Sequence, residues 1–471
     1  MGACSFRRKG ITLEVAPDAL KKRIKEQEVI QRVYHYSLLT GDVYLVGGAI
    51  RELILQKTPN DYDFVLTEPD DLRRFEELFG TPAFILGKKP IQTHRIVTKD
   101  ISIDITFLKT TLEEDLTRRD FTMNGIAYDV KKDRIVDPLE GMGDIKKRLI
   151  RYPHKDTIKD DPLRMLKAIR HFVTLKRFLL HNELIEAIKE LKRLINGIAP
   201  ERTKYEMDQI ISSEYAFEGM KLMEDTGLLF EIFPELYSLK QMDVEKKFEL
   251  ETYGHTIEGF KYLVKHSKSY EVNEAALKNV GYALLFHDLG KAYTFSIDEK
   301  KGVVHFFYHE GISKEISSLI MERLRFSSHE MKAIFALIEN HMRIFLISNN
   351  EATEKATRRL VYKMGKLTPS LILLTLCDMY GSSGGKDNAS TKRVKKRCSD
   401  MLDAYHEWEK EPLPKLINGY DLLSLGFAEG SNIGQVLEYI REKQISGEIT
   451  EKVEALNYAR DFLNNHRNHC L

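Results

Sequence analysis

The sequence lacks the features that mark a membrane protein, a secreted disulfide scaffold or a thiolate metal site. Its four cysteines, Cys4, Cys377, Cys398 and Cys470, are scattered over 471 residues, and no two form a C-x-x-C pair. That spacing disfavours a zinc site of thiolates and a disulfide framework, and fits a reducing cytoplasm. No run of 18 apolar residues occurs and the opening MGACSFRRKG has no apolar h-region, so neither a membrane span nor a secretory signal is expected. Gly2 and Cys4 precede Arg7, Arg8 and Lys9, but the match to a lipidation signal is too poor to be read as one. An excess of one charge is also missing, with 72 Lys and Arg against 71 Asp and Glu, so net charge alone demands no polyanionic partner. No internal repeat or low-complexity tract is found.

What is present is organised around residues 44–66, YLVGGAIRELILQKTPNDYDFVL. A short apolar strand leads into Gly47 and Gly48, a helix-like segment follows, and a second apolar strand carries Asp61 and Asp63. Side chains alternate along a strand, so these aspartates share one face while Tyr62 and Phe64 take the other. Two hard oxygen ligands then share a site. The Gly pair lets backbone N–H groups approach a phosphate, and a phosphate cradle facing a divalent-metal pair points to phosphoryl or nucleotidyl transfer.

The length predicts about three domains, at roughly 100–200 residues each. A lead-in helix is expected over 16–33. An α/β segment follows to about residue 137, with strands at 44–46, 63–66, 83–86, 95–97 and 101–107 and a helix over 69–79. Asp104, in ISIDITFL, alternates with Ile103 and Ile105 and is the natural third carboxylate. DLTRRDFTMNGIAYD then packs Arg118, Arg119, Asp120 and Asn124 into seven residues. Such density suits holding phosphate charge and a ribose hydroxyl together. It also reads as a helix start capped by Thr117, with its arginines in water.

From 141 to 205 the pattern turns helical and basic. In KDDPLRMLKAIRHF, Pro162 opens a helix with Leu163, Leu166, Ile169 and Phe172 on its apolar side. Asp161 and Arg164 are then neighbours on the exposed side, a salt bridge or an acceptor and donor fork for a base edge. PERTKYEMDQII adds Glu201, Arg202 and Glu206 on another amphipathic helix. Further on, His255, His287, Asp288, His309, His341 and Asp378 are spread over about 125 residues of helical pattern. To act together they must converge from several helices of one bundle on a divalent metal. Residues 358–397 hold ten Lys and Arg against two Asp, a solvated face or a nucleic-acid surface. Within them GSSGGKDNASTKRVKKRC, at 381–398, is the best linker candidate. The turn-rich INGYDLLSLGFAEGSNIG, where Gly426 and Gly430 bracket Glu429, precedes a last helical stretch.

GGAIRE followed by DYD, then RRDFTMN, DDPLR and PERxxxE resemble, in order and spacing, the motifs of the class II tRNA nucleotidyltransferase and bacterial poly(A) polymerase family. The likeness spans about residues 42–210. The histidine and aspartate series resembles an HD metal-dependent phosphohydrolase domain, and GYDLLSLGFAEGSNIG is similar to a segment near the C-terminus of many CCA-adding enzymes.

The resemblance implies an α+β fold: a polymerase-beta-like nucleotidyltransferase head with a mixed sheet, an all-α neck, an HD-type helical domain and a helical tail. The corresponding boundaries are 1–40 for the lead-in, 41–150 for the head, 151–250 for the neck, 251–380 for the HD domain and 381–471 for an RNA-binding tail. It further implies template-independent extension of a tRNA 3′ end from CTP or ATP. Asp61 and Asp63, with Asp104, would hold two Mg2+ ions. Gly47, Gly48 and Arg51 would hold phosphates, with Arg119 near them. Asp120 and Asn124 would hold the ribose side, Asp161 and Arg164 would read the base, and Arg170 is counted in the same pocket. His255, His287, Asp288 and Asp378 would bind one divalent metal (Mn2+, Ni2+ or Mg2+), with His309 and His341 completing a second position. Lys392, Arg393, Lys395 and Lys396 are the candidate contacts to RNA backbone; membrane and DNA are not expected partners.

Departures from the pattern fall at a few points. The family's Arg-Asp after the Gly pair is Arg51-Glu52, its Leu-Leu-Gly is Ile54-Leu55-Gln56, and its Glu-Asp is Asp160-Asp161. Pro90 stands where poly(A) polymerases carry a Phe. The tail and the HD domain lean towards tRNA, as whole CCA addition or as CC- or A-addition. Poly(A) addition, an RNA-binding module with incidental acids, and an HD hydrolase with an inactive head are the rival readings.

Overall fold

The computed structural model describes residues 16–38, 41–86, 92–244, 252–349, 352–410, 413–428, 430–445 and 447–467. The acylation-like N-terminus, Pro90 and Glu429 lie outside them. The chain divides into two compact units, Met1–Ile210 with Leu222–Ile232, and Ile211–Lys221 with Phe233–Leu471.

The first unit is built on a seven-stranded mixed sheet. Its strands are β1 (Val43–Val46), β2 (Asp61–Leu66), β3 (Phe84–Leu86), β4 (Thr93–Val97), β5 (Ser102–Phe107), β6 (Ala127–Asp129) and β7 (Arg134–Val136), in the order β3-β4-β5-β2-β1-β6-β7. Five of them fall where the apolar runs predict. The short β6 and β7 were not anticipated, because three-residue strands carry too little alternation to be read. Only β2 and β5 are parallel, and they sit side by side. Tyr44, Val46, Val65, Leu116 and Ala127 cluster on one face of this sheet, and Leu45, Phe64, Phe75, Ile103 and Ile105, all fully buried, form the core under the other. Asp61, Asp63 and Asp104 alternate away from it and remain exposed or half-buried. The expected lead-in helix is two helices, Pro17–Lys25 and Glu28–Ser37, separated at Glu26 and Gln27.

Beyond the sheet, the two-residue parallel strands β8 (Leu149–Ile150) and β9 (Leu179–Leu180) flank the helix Arg164–Thr174, and Asn182–Leu191 and Pro200–Ile211 follow. The apolar side of Arg164–Thr174 buries Met165, Leu166, Ala168, Ile169 and Val173, whereas Phe172 is only partly covered.

Among the described residues the second unit is helical, apart from one hairpin, β10 (Phe295–Asp298) with β11 (Val303–Phe306). The uniform helical reading of this region missed it, although Phe295 and Ile297 alternate before a turn at Gly302, whose φ is +65°. The central helix, Thr368–Ser383, is apolar all round, with Leu371, Ile372, Leu373, Leu374, Leu376 and Cys377 buried, which is the pattern of a helix surrounded by others. The stretch Glu354–Ser383 is long and apolar enough to cross a membrane by length and composition. It is broken at Gly365 and 72% of its most apolar window is buried within the protein, as a core helix is.

The expected linker does not form one. Thr368–Ser383 ends at Gly384, and by Ala389 a 22-residue helix, Ala389–Lys410, has begun. Thr391, Val394, Cys398, Met401 and Tyr405 give that basic stretch a buried side, which outweighs its linker-like composition. Further on, Asn418 and Asp421 form a reciprocal capping box at Gly419–Ser424.

Candidate functional site

The carboxylate face of the sheet is set by register. Asp63 on β2 lies directly opposite Asp104 on β5, and Asp61 opposite Ser102. Gly47, between β1 and the helix Gly48–Ile54, has φ +77° and ψ −139°, a conformation that side chains other than hydrogen rarely adopt. A Cβ there would stand 2.6 Å from Asp63 Oδ2 and 3.2 Å from Arg119 Nη1. The glycine turn thus rests against the carboxylate. Burial raises the pKa of Asp63; Arg119 opposes the rise, while Asp104, Asp61 and Asp120 add to it. A cation at this face would relieve that crowding of negative charge. Asp104 is engaged by Arg95 on β4, whose Nε and Nη2 each donate to one carboxylate oxygen at 2.6 Å. Arg95 was not singled out from the sequence, because only the β4–β5 register places it opposite Asp104.

The segment after Asp115 is not a helix start. Thr111 caps the helix Leu112–Thr117, and Thr117 ends it, donating from Oγ1 to Glu114 O. Arg118–Phe121 then turn into the short 3-10 helix Thr122–Asn124. There Asn124 Nδ2 donates to Asp120 Oδ1 at 2.8 Å, and the buried Arg51 donates to Asn124 Oδ1. Arg51 therefore faces inward, with Glu52 3.7 Å away. Arg119 pairs with Asp115 at 3.1 Å. Burial opposes ionisation of Asp120, but Lys167, 3.8 Å away, the Asn124 amide and Arg164 hold its pKa below the usual range.

Asp161 and Arg164 do not pair on one helical face as expected. Asp161 follows the short helix Asp156–Asp160 with φ −143° and ψ 92°, an extended conformation imposed by Pro162, and the next helix starts at Arg164. Each residue has its own support. Arg202 Nη2 donates to Asp161 Oδ2 at 2.9 Å. The Arg164 guanidinium donates to the carbonyls of Arg118 at 2.8 Å and Thr157 at 3.0 Å. Glu206, buried, accepts from Arg170 Nε at 2.6 Å. The PERxxxE segment thus positions two candidate site residues through Arg202 and Glu206, a role that its sequence gives no means of reading.

In the helical unit all six chosen side chains converge. Gly381 makes one approach possible, since a Cβ there would stand 2.1 Å from His255 O. Asp288 is central. Its Oδ2 lies 3.0 Å from His255 Nε2 and 3.3 Å from His287 Nε2, and its Oδ1 lies 3.3 Å from His309 Nε2 and 3.7 Å from His341 Nε2. Asp378 Oδ1 is 3.5 Å from His255 Nε2. Nδ1 of His287, His309 and His341 donates to the carbonyls of Leu284, Phe306 and Ile338 at 2.8, 2.9 and 2.7 Å. A carbonyl can only accept, so in the neutral rings Nε2 carries the lone pair and faces the cluster. His309 Nε2 and His341 Nε2 nevertheless stand 3.1 Å apart, and Asp288 Oδ1, buried beside them, has no hydrogen-bond partner. The His309 and His341 lone pairs, facing each other beside that carboxylate oxygen, fit a bound cation.

Among the described residues, His255, His287 and Asp378 form one trio of potential ligands, and His287, Asp288 and His341 another, each within 4.8 Å. Burial opposes charge on His287, but Asp288 and Asp378 outweigh it and raise its pKa to about 10. Burial and the His287 charge lower His341 to about 3. Burial likewise opposes charge on Asp288 and Asp378, yet the neighbouring cations depress both. Lys291, three residues on, reaches Asp288 Oδ2 at 2.6 Å.

Lys392, Arg393, Lys395 and Lys396 are all exposed on the helix Ala389–Lys410, and Lys395 pairs with Asp387. Burial raises the thiol pKa of Cys377, and that of Cys398 to about 12, so neither is a thiolate ligand near neutral pH.

The chain is similar to known proteins along most of its length. Residues 43–151 match the model of the poly A polymerase head domain, 177–239 that of a probable RNA and SrmB-binding site of polymerase A, and 252–380 that of the HD domain. The CC-adding tRNA nucleotidyltransferase of Thermus thermophilus is 30% identical over 424 residues, covering 88% of this chain and 92% of that protein. The A-adding tRNA nucleotidyltransferase of Deinococcus radiodurans is 29% identical, covering 87% and 93%. In fold, the chain resembles the Thermotoga maritima CCA-adding enzyme solved with tRNA, at a TM-score of 0.61 and 20% identity, over 94% of this chain and 98% of that one.

Proposed function

Because the chain belongs to the tRNA nucleotidyltransferase family, we propose that it extends tRNA 3′ ends without a template, adding C, A or both from CTP and ATP. The observation that carries this is the carboxylate face on which Asp63 lies opposite Asp104 with Gly47 closed against it. Two Mg2+ ions held by Asp61 and Asp63, with Asp104, would supply activation of the RNA 3′ hydroxyl and neutralise the triphosphate. The hydroxyl attacks the α-phosphorus, the bond to the β,γ-pyrophosphate breaks, and pyrophosphate leaves.

The remaining roles belong to the protein's own groups. Gly47, Gly48 and Arg119 face the phosphates. Asp120 and Asn124 hold the ribose, and Arg51 orients Asn124 from behind. Asp161 accepts from, and Arg164 donates to, the Watson–Crick edge of the incoming base. Neither has to search for its position, since Arg202 holds one and backbone carbonyls hold the other. Lys392, Arg393, Lys395 and Lys396 would contact RNA backbone, and a tRNA substrate implies a cytoplasmic location.

The test is incubation with labelled CTP or ATP, Mg2+ and tRNA ending at the discriminator base, at C or at CC. Incorporation should be lost in Asp61→Ala and Asp63→Ala. No incorporation of either nucleotide by the unaltered protein sinks the reading, and long A-tracts on unrelated RNA replace it with poly(A) addition.

A second activity is supported by the orphaned Asp288 oxygen among four histidines. We assign to this centre hydrolysis of phosphate esters such as 2′,3′-cyclic phosphates on RNA ends, for which His255, His287, Asp288 and Asp378, with His309 and His341, would hold Mn2+, Ni2+ or Mg2+ and so supply an activated water. Water adds to phosphorus, one ribose P–O bond breaks, and the leaving oxygen takes a proton. A His287→Ala, Asp288→Ala protein should lose this activity and keep nucleotide transfer.

A further inference from the structure

The segment running from the His287–Asp288 turn to His309 carries unusually exposed aromatic side chains. Tyr293 is 65% exposed, Phe307 64% and Tyr308 84%. They do not float free of the metal cluster. Gly290 lies so close to the start of the helix His309–Arg323 that a Cβ would stand 2.1 Å from His309 O, and Gly290 N donates to Ser313 Oγ at 2.8 Å. Phe306 O accepts from His309 Nδ1, and Lys291 Nζ, already bound to Asp288, lies 5.6 Å from the centre of the Phe306 ring. His305 and Phe307 are stacked, with ring centres 4.8 Å apart and planes 16° from parallel. Tyr308 holds φ +59°, which a bulky residue adopts only when its surroundings impose it. The hairpin and the helix start therefore hold the rings of His305, Phe307 and Tyr308 in the segment that leads directly into His309 of the six-residue cluster.

We propose that this aromatic rim is a stacking platform for the unpaired bases of a single-stranded RNA end, whose terminal phosphate ester reaches the histidine and aspartate cluster. The proposal rests on the hydrolase reading of that cluster. Charge and shape favour RNA as the occupant. Stacking accepts any base, because every base has a π-face, and the rings adjoin a charged centre in which Lys291 is shared between Asp288 and the Phe306 ring. Water-exposed aromatics next to a buried, charged centre are otherwise a poor use of surface, since they gain nothing from burial in the folded chain.

The experiment uses the full chain and two substrates. One is a short RNA ending in a 2′,3′-cyclic phosphate, with 2-aminopurine as its last base; the other is methyl riboside 2′,3′-cyclic phosphate, which has no base. In a Phe307→Ser, Tyr308→Asn protein, KM for the RNA should rise about tenfold or more. Its kcat, and both constants for the base-free ester, should stay within about twofold. Tyr308→Phe should behave as the unaltered protein. Equal losses on both substrates, or no change on RNA, overturn the proposal. So does a shift of oligomeric state in the double variant without a change in KM, which would mark the rim as a contact with a second copy. If the unaltered protein hydrolyses neither substrate, the hydrolase reading fails by itself. Quenching of the 2-aminopurine then decides the platform: loss of quenching in the double variant supports it, and an unquenched base in the unaltered protein refutes it.

Discussion

Gly47→Ala adds one methyl group where the structure has two separate reasons to reject it. The backbone at φ +77° and ψ −139° lies in a region that costs a residue with a Cβ on the order of 1–3 kcal/mol. In a unit of this size that lowers Tm by several degrees, at about 2–4 °C for each kcal/mol. The second reason is local. The methyl carbon would sit 2.6 Å from Asp63 Oδ2, whereas ordinary contact begins near 3.4 Å, so about 0.8 Å must be found by moving the turn or the carboxylate. A displacement of about 1 Å at a reacting centre costs up to about 100-fold in rate. The assay is incorporation of labelled CTP and ATP into tRNA lacking its 3′ end, beside thermal unfolding. Gly48→Ala is the matched control, because its Cβ would meet nothing closer than Arg51 Nη2 at 3.4 Å. The control should keep its Tm, and any loss it shows should lie in nucleotide KM, as a methyl facing phosphate would give. Gly47→Ala with unchanged Tm and incorporation refutes the account of this turn.

Gln56 occupies the position of the family's usual glycine and has φ +62°, so Gln56→Gly should stabilise the protein by about 1 kcal/mol in denaturant unfolding. A destabilised variant would mean that the glutamine side chain contributes more than the strain removes. Arg202→Ala breaks a half-exposed ion pair and should cost under about 1 kcal/mol of stability. It also leaves Asp161 without its side-chain donor, so KM for CTP and ATP should rise and misincorporation of UTP and GTP increase; unchanged nucleotide selection would show that Asp161 needs no such support. His171 is buried edge-on against Phe121, and burial, then the charges of Arg170, Arg51 and Lys167, push its pKa well below 6.5. The unfolded chain then binds a proton below about pH 6.5 that the folded chain refuses, so stability falls as pH drops through that value, by up to about 1.4 kcal/mol per unit. Denaturant unfolding from pH 7.5 to 5 should show a shallower acid-side decline in His171→Leu than in the unaltered protein, and equal slopes would contradict it.

How far the sequence could be read depended on whether local chemistry or long-range register decided the outcome. Asp61, Asp63 and Asp104 were accessible because strand alternation is a local rule, and the β2–β5 pairing only had to set the two strands side by side. The pairing of Asp104 with Arg95 was not, since nothing local to Arg95 tells which residue lies across the sheet. Asp161 and Arg164 were expected side by side on one helical face, and the structure gives each its own support instead. Pro162 was weighed as a helix starter, while its stronger effect was to hold the preceding Asp161 extended, which frees that carboxylate to meet Arg202 from another helix. The segment 381–398 followed composition into a linker reading. Its buried residues Thr391, Val394 and Cys398, at spacings of three and four, already carried the helical period that the structure obeys. The histidine cluster shows the same division. Imidazole and carboxylate identities named the six groups, but their meeting depends on glycines: Gly381 lets His255 approach, and Gly290 lets His309 approach. A glycine that serves a close approach looks, in a single sequence, like any other glycine, so Gly381 carried no signal of its own, whereas Gly290 stood beside the His287–Asp288 pair and could be noticed there.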